Sequence, residues 1–308
     1  IYSQGVKLVN KIPDGFHEEV KLNLTDKSGI SEAKKVAKNA DVVIMVFGEY
    51  GFQTGEGRSR ASLDLPGFQQ ELLEEIYKVN PNIVLVLMNG RPLVLNWSSK
   101  NIPAILETWH LGTQSGNAIA QVMYGDYNPS GKLPMSFPRS VGQVPIYYNH
   151  KNTGRPGADG EDTGSVFWSH YQDEKNTPLY PFGFGLSYTS FRYSKVKLNK
   201  NKLIKNDSDE LVASIELSNT GKIKGKEIVQ LYINDKYSSS TRPVKELKGF
   251  KVIELEPGET RNVSFKINNK MLEYFSSKNK WESEAGVFEI FIGTNSDTKR
   301  KESFELVL

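Results

Sequence analysis

The stretch GFQTGEGRSR, residues 51–60, holds one carboxylate, Glu56, between Gly55 and Gly57, with Arg58 and Arg60 just after it. A carboxyl group in such a setting can move protons. Glycine on both sides lets the backbone take positive φ and approach a ligand or a neighbouring domain closely, while the acid stays unobstructed. A glutamate used as a general acid needs that reach, in surroundings that become drier once a substrate covers it. The same residues also suit a solvated loop in which Arg58 or Arg60 pairs with Glu56. Asp41, Glu49, Asp64 and Asp126 are rival carboxylates, but Asp41 starts an expected strand and the others lie nearer element ends.

Other chemistry-bearing patterns fail on spacing. GDYNPSGKL (125–133) has one residue too many between its glycines for a phosphate loop, and Leu133 stands where Ser or Thr would hold magnesium. GEGRSR carries two of the three glycines of a dinucleotide fingerprint. His17, His110, His150 and His170 are too dispersed for a local zinc site, and no Gly-x-Ser-x-Gly elbow is present. The residues themselves imply no cofactor and no metal.

The elements that must position Glu56 follow from hydrophobic period. SEAKKVAKNA (31–40) reads as a helix with Ser31 as N-cap. DVVIMVF (41–47) is a continuous apolar run suited to a strand covered on both faces. After the glycine loop come a helix in LPGFQQELLEEIYKV (65–79), a second buried strand in NIVLVLM (82–88), a third in PAILETW (103–109) and a helix in TQSGNAIAQVMYG (113–125). This alternation is that of an α/β domain with a mostly parallel sheet. The Glu56 loop would leave the carboxyl end of a central strand, where open α/β sheets form their ligand crevices.

From about residue 126 Pro, Gly and Asn recur every few residues, with too many aromatics for a flexible linker. Beyond residue 191 the period becomes two: 210–221, 227–235, 259–267 and 286–293 alternate apolar with polar. Roughly seven short strands in that half imply an antiparallel β-sandwich. The expected division is an α/β domain over 1–150, a Pro/Gly/aromatic-rich connection over 151–190 and a sandwich over 191–308.

Composition agrees with a globular protein. Of 308 residues, 38% are hydrophobic and 24% charged, with a net charge of +3. Scattered charge of that size asks for neither nucleic acid nor an anionic membrane. There is no cysteine, so disulfides and cysteine-ligated metals are excluded while the compartment stays open. No apolar run has the length of a membrane span, and the first residues, IYSQGVKLVN, read neither as a signal peptide nor as a start. The chain is expected to be part of something longer.

GEYGFQTGEGRSRASLDLPGFQQELL, VLMNGRPLVLNW, the run from AILETWHLG to KNTGRP and PLYPFGFGLSYTSF together resemble the C-terminal part of a glycoside hydrolase family 3 β-glucosidase. STRPVKELKGFKVIELEPGET (240–260) resembles the fibronectin type III-like domain that closes many of those chains. The resemblance runs from about residue 33 to the end. It implies a partial three-layer α/β sandwich domain followed by a fibronectin type III-like domain. It also implies a retaining, exo-acting hydrolase of terminal non-reducing β-D-glucosyl residues.

In that family a TIM barrel carries the nucleophilic aspartate, and a loop of the next domain brings the acid/base glutamate over the barrel mouth. Glu56 occupies the position that resembles the acid/base, and Glu49 is the runner-up, suited to packing or orienting. Arg58 and Arg60 are candidates for binding substrate hydroxyls or for holding the loop. Tyr50 and Phe52 are candidates for an aromatic wall or for packing beneath it. Asn89, Gly90, Arg91 and Pro92 would shape the neighbouring crevice.

No segment resembles the barrel, so the chain is expected to carry one of two catalytic carboxylates and to be inactive alone. Its expected partners are a β-glucoside or oligosaccharide and the barrel domain of the same chain, with a homodimer as candidate assembly and a periplasmic or secreted location. A β-xylosidase specificity stays open. So does a non-catalytic carbohydrate-binding or docking module, for which Tyr232, Tyr237, Tyr274 and Trp281 are the candidate sugar platforms.

Overall fold

The computed structural model describes residues 6–11, 18–22, 25–157, 167–206 and 208–308, with side chains from residue 25 onward apart from that of Phe52. The chain divides into two compact units: 1–121 with 137–144, and 122–136 with 145–308.

The first unit begins with an antiparallel hairpin of β1 (Val6–Lys11) and β2 (Glu18–Leu22). Helix α1 (Ser28–Lys38) follows, one turn earlier than the sequence suggests. Ser31 therefore lies inside the helix, and Lys27 precedes it; Asp26 accepts the Ser28 amide and hydroxyl instead. Then come β3 (Val43–Gly48), α2 (Gln69–Tyr77), β4 (Ile83–Met88), α3 (Asn96–Asn101), β5 (Ala104–Glu107) and α4 (Ser115–Met123). The three strands form a parallel sheet in the order β3-β4-β5. Ile83, Leu85, Val86 and Leu87 of β4 and Leu73 of α2 are wholly buried, and Ile76 of α2 and the small residues Ala33 and Ala37 of α1 are buried.

Two expectations for β3 need correction. It is the edge strand of this sheet, and β4 is central. Ile44 and Val46, on one face, are 47% and 50% exposed, while Met45 and Phe47 on the other are buried. Among the described residues no element covers that outer face. Alternation of side chains across a pleat makes such one-sided burial possible in a run that is apolar throughout.

In the second unit, one sheet has the order β11-β10-β15-β16-β8, from β8 (Lys202–Ile204), β10 (Gly225–Asp235), β11 (Glu246–Leu255), β15 (Gly286–Gly293) and β16 (Lys301–Val307). The other is built on β9 (Glu210–Asn219), which pairs with β12 (Thr260–Asn268), β6 (Phe191–Tyr193) and β7 (Lys197–Leu198). A short turn of helix α5 (Asn269–Leu272) leads to a small hairpin of β13 (Tyr274–Phe275) and β14 (Trp281–Glu282). The pairings among these strands are antiparallel, apart from β8 with β16, which is parallel. Leu211, Ala213, Ile215 and Leu217 of β9 meet Val229, Leu231 and Ile233 of β10 and Phe288, Ile290 and Ile292 of β15 in one core. The period of two is thus the imprint of two sheets packed face to face.

Residues 182–185, just before the sandwich, pack against it. Phe182 stacks on Tyr148 at 4.3 Å, Tyr148 meets Tyr232 edge-on at 5.9 Å, and Gln230 Nε2 donates to the carbonyls of Gly183 and Thr294. Lys132, of the false phosphate loop, pairs with Glu227 and donates to the Gly185 carbonyl. Its ammonium is committed to the sandwich.

Candidate functional site

The carboxyl ends of the three parallel strands present Glu49, Asn89 and Glu107. Strand β3 ends at Gly48, whose φ is 129°. A Cβ there would lie 2.1 Å from the Met88 carbonyl oxygen, so no side chain is admitted. Buried Gln69 holds the same residue at both backbone groups: its Oε1 accepts from the Gly48 amide at 2.7 Å and its Nε2 donates to the Gly48 carbonyl at 2.9 Å.

The Glu49 side chain is 0% exposed, and its carboxylate collects several donors. Arg60 Nη1 reaches Oε1 at 3.0 Å, and Arg91 Nε lies 3.0 Å from Oε1 and 3.2 Å from Oε2. The Gly90 amide donates to Oε2 at 3.2 Å. A buried carboxylate is tolerable only when paired and hydrogen-bonded in this way. Arg91 has a second set of bonds: its Nη2 donates at 2.8 Å to the carbonyls of both Gln53 and Arg58. Arg60 Nη2 likewise donates to the Asp64 carbonyl at 2.8 Å.

The loop tied down by these bonds carries Glu56. A 3-10 turn at Gly51–Gln53 opens it, with the Tyr50 amide donating to Gln53 Oε1 at 2.7 Å. Thr54 packs onto Gly90, where a Cβ would lie 2.2 Å from Thr54 Oγ1. Gly55 and Gly57 have φ of 117° and 66°, and the Arg58 amide closes back on the Gly55 carbonyl at 3.2 Å. Nothing lies within 4 Å of a Cβ at either glycine, so backbone conformation alone calls for glycine there. Glu56 is exposed at the turn and forms no hydrogen bond or ion pair among the described residues.

The alternative in which Glu56 pairs with Arg58 or Arg60 is not what the structure shows. Arg60 is paired with the buried carboxylate of Glu49, and Arg58 enters the network through its backbone carbonyl. Tyr50 is half exposed beside the loop, and the side chain of Phe52 lies outside the described residues. Of the rival carboxylates, Asp41, Asp64 and Asp126 are exposed, and Asp64 accepts from the Ser62 hydroxyl at 2.7 Å.

Glu107, at the end of β5, is a residue that sequence reasoning passed over. Burial pushes its carboxyl up from 4.5 to about 7, against the opposing pull of hydrogen bonds from the Trp109 amide and Asn89 Nδ2. Those donors lie at 3.0 and 3.3 Å. Asn89 is fully buried and also donates to the Arg91 carbonyl, while its Oδ1 has no partner among the described residues. Trp109 sits at φ 50°, unusual for a residue with a side chain, with its ring tilted against Phe137 at 5.8 Å.

Among the described residues no group of His, Asp and Glu is arranged to hold a metal ion, and no helix is long and apolar enough to cross a membrane. His17 lies outside the described residues. Of the proposed sugar platforms, Tyr232 and Tyr274 are buried in the second unit, while Tyr237 and Trp281 are exposed. Trp281 meets Phe275 at an interplanar angle of 67°, so the two rings offer no common flat surface.

Comparison with known proteins agrees with this architecture. Residues 2–188 match the glycosyl hydrolase family 3 C-terminal domain, and residues 227–296 match the fibronectin type III-like domain. A periplasmic beta-glucosidase of Salmonella typhimurium is 45% identical over 100% of this chain and 40% of its own length. A beta-xylosidase of Formosa agariphila is 45% identical over 94% of this chain and 40% of its own. The crystal structure of a beta-glucosidase from Listeria innocua in complex with glucose superposes with a TM-score of 0.86 at 36% identity, over 92% of this chain and 39% of that one. The chain thus spans about two fifths of the length of the relatives it matches. With its α/β unit and its β-sandwich matched in this order, the chain belongs to glycosyl hydrolase family 3.

Proposed function

We propose that the chain is the C-terminal portion of a retaining, exo-acting β-glucosidase, and that Glu56 is its general acid/base. The observation that carries this reading is a single exposed, unpaired glutamate between two positive-φ glycines, on a loop whose stem is held at the strand ends. Retaining hydrolysis needs two carboxyl groups about 5–5.5 Å apart across the glycosidic bond. One attacks the anomeric carbon and expels the leaving alcohol. The other protonates the glycosidic oxygen as that bond breaks, then takes a proton from the water that hydrolyses the glycosyl-enzyme. Glu56 fits the second role because it needs reach, not a fixed ion pair. The nucleophile belongs to a barrel domain outside this chain, so residues 1–308 alone are expected to be inactive. The Salmonella relative supports a periplasmic or otherwise exported setting.

The test is hydrolysis of aryl β-glucosides by the full-length enzyme carrying Glu56→Ala, with and without azide. The expected loss is about 10²–10⁴-fold for substrates whose leaving group needs a proton. Azide is expected to speed turnover by attacking the glycosyl-enzyme and releasing a β-glucosyl azide. An undiminished rate removes Glu56 from the mechanism. A β-xylosidase specificity is the second reading, favoured by the Formosa relative at the same identity; comparing aryl β-xyloside with aryl β-glucoside in the same assay decides between them.

A further inference from the structure

We propose that Glu49, acting through Arg91, is the positioning residue for the proton-transfer loop. The proposal rests on the reading of Glu56 given above. Among the described residues Glu56 has no bond of its own to hold it, so its place is set by the backbone on either side. That backbone is gripped at two points, the carbonyls of Gln53 and Arg58, by one nitrogen of one guanidinium. The orientation of that guanidinium is fixed in turn by Glu49, which takes Arg91 Nε on both carboxylate oxygens and binds the Gly90 amide next to it. Glu49 follows directly from β3, where Gly48 and Gln69 leave the strand end no latitude. Arg60 completes the frame by joining Glu49 to the Asp64 carbonyl on the outgoing side of the loop.

The chain of constraint therefore runs from the sheet through Glu49 and Arg91 to the two peptide groups that bracket Glu56. A planar guanidinium offers several donors in fixed directions, which lets one residue read a carboxylate and two carbonyls at once; an ammonium has no such geometry. Removing the Glu49 charge takes away the ion pair that orients Arg91, and a small displacement of a catalytic group is enough to cost about 10²-fold in rate.

The experiment uses the full-length enzyme as Glu49→Gln, Arg91→Lys and Glu56→Ala, assayed on aryl and alkyl β-glucosides whose leaving groups range from dinitrophenolate to methanol. For Glu49→Gln and Arg91→Lys, kcat/KM is expected to fall about 10²-fold on poor leaving groups and less than about threefold on dinitrophenolate, which departs without a proton. Azide is expected to accelerate turnover of the dinitrophenyl substrate by both variants and by Glu56→Ala. A loss shared equally by all substrates, or no loss, overturns the proposal, because a purely structural role lowers the folded fraction without changing leaving-group dependence. If Glu49→Gln does not fold, Arg91→Lys, which keeps the charge opposite Glu49, carries the same test. If Glu56→Ala itself shows neither leaving-group dependence nor azide acceleration, the acid/base reading fails, and the positioning role fails with it. If Glu56→Ala shows both and the other variants show neither, the positioning role fails alone.

Discussion

Replacing Glu107 by glutamine should make the protein more stable at alkaline pH than at acid pH, relative to the parent. In the fold, burial holds the Glu107 carboxyl at about 7 despite the hydrogen bonds from Asn89 and the Trp109 amide, against 4.5 for an exposed glutamate. A raised value means that the unfolded chain ionises first. The stability contributed by protonated Glu107 is present in full below about pH 4.5 and is lost as pH rises through about 7. At about 1.4 kcal/mol per pH unit, the whole difference is about 3 kcal/mol, of which about 2.5 falls between pH 5 and pH 8. Glutamine cannot ionise, so the parent should lose about 2.5 kcal/mol over that interval that Glu107→Gln keeps. The substitution has its own constant cost, since the amide must share Asn89 and the Trp109 amide, but that cost cancels in the comparison between the two pH values. Hydrogen exchange of strand β5, read by mass spectrometry on both proteins at each pH, reports the opening of this unit alone. A pH-dependent difference below about 0.5 kcal/mol would show that Glu107 ionises in place without hindrance, and the desolvation argument would be wrong.

Further outcomes follow from packing and pairing. Gly48→Ala should cost about 4 kcal/mol, from backbone strain and a Cβ driven into the Met88 carbonyl, whereas Gly55→Ala, strained but unobstructed, should cost about 1–2 kcal/mol; thermal unfolding compares them. Lys132→Met should destabilise the second unit by about 3 kcal/mol by leaving Glu227 buried without its ammonium, and adding Glu227→Gln should recover part of that loss in urea unfolding.

Much of the fold was legible because period records burial. The continuous apolar run of β4 and the alternation of β9 and β12 each have the burial pattern of a strand between layers or on one face. The run of β3 misled because a stretch that is apolar on both faces says nothing about whether both are covered. Ser31 misled because a polar residue before an apolar stripe also suits the first turn inside a helix.

At the site, glycines around a glutamate were enough to mark residues 51–60. Choosing the partner of Arg60 was beyond sequence, since Glu56 is nearer along the chain and Glu49 is nearer in space. Glu107 escaped notice because AILETW reads as an ordinary strand end. Its raised proton affinity comes from burial in the fold, which the letters around it do not record.

Arg91 holds the loop by peptide oxygens, and every residue type supplies those. The Arg58 side chain, which takes no part in this grip, can therefore change through mutation without loosening it. A lineage built on this frame can remodel what position 58 shows to its surroundings while the backbone on either side of Glu56 keeps its course.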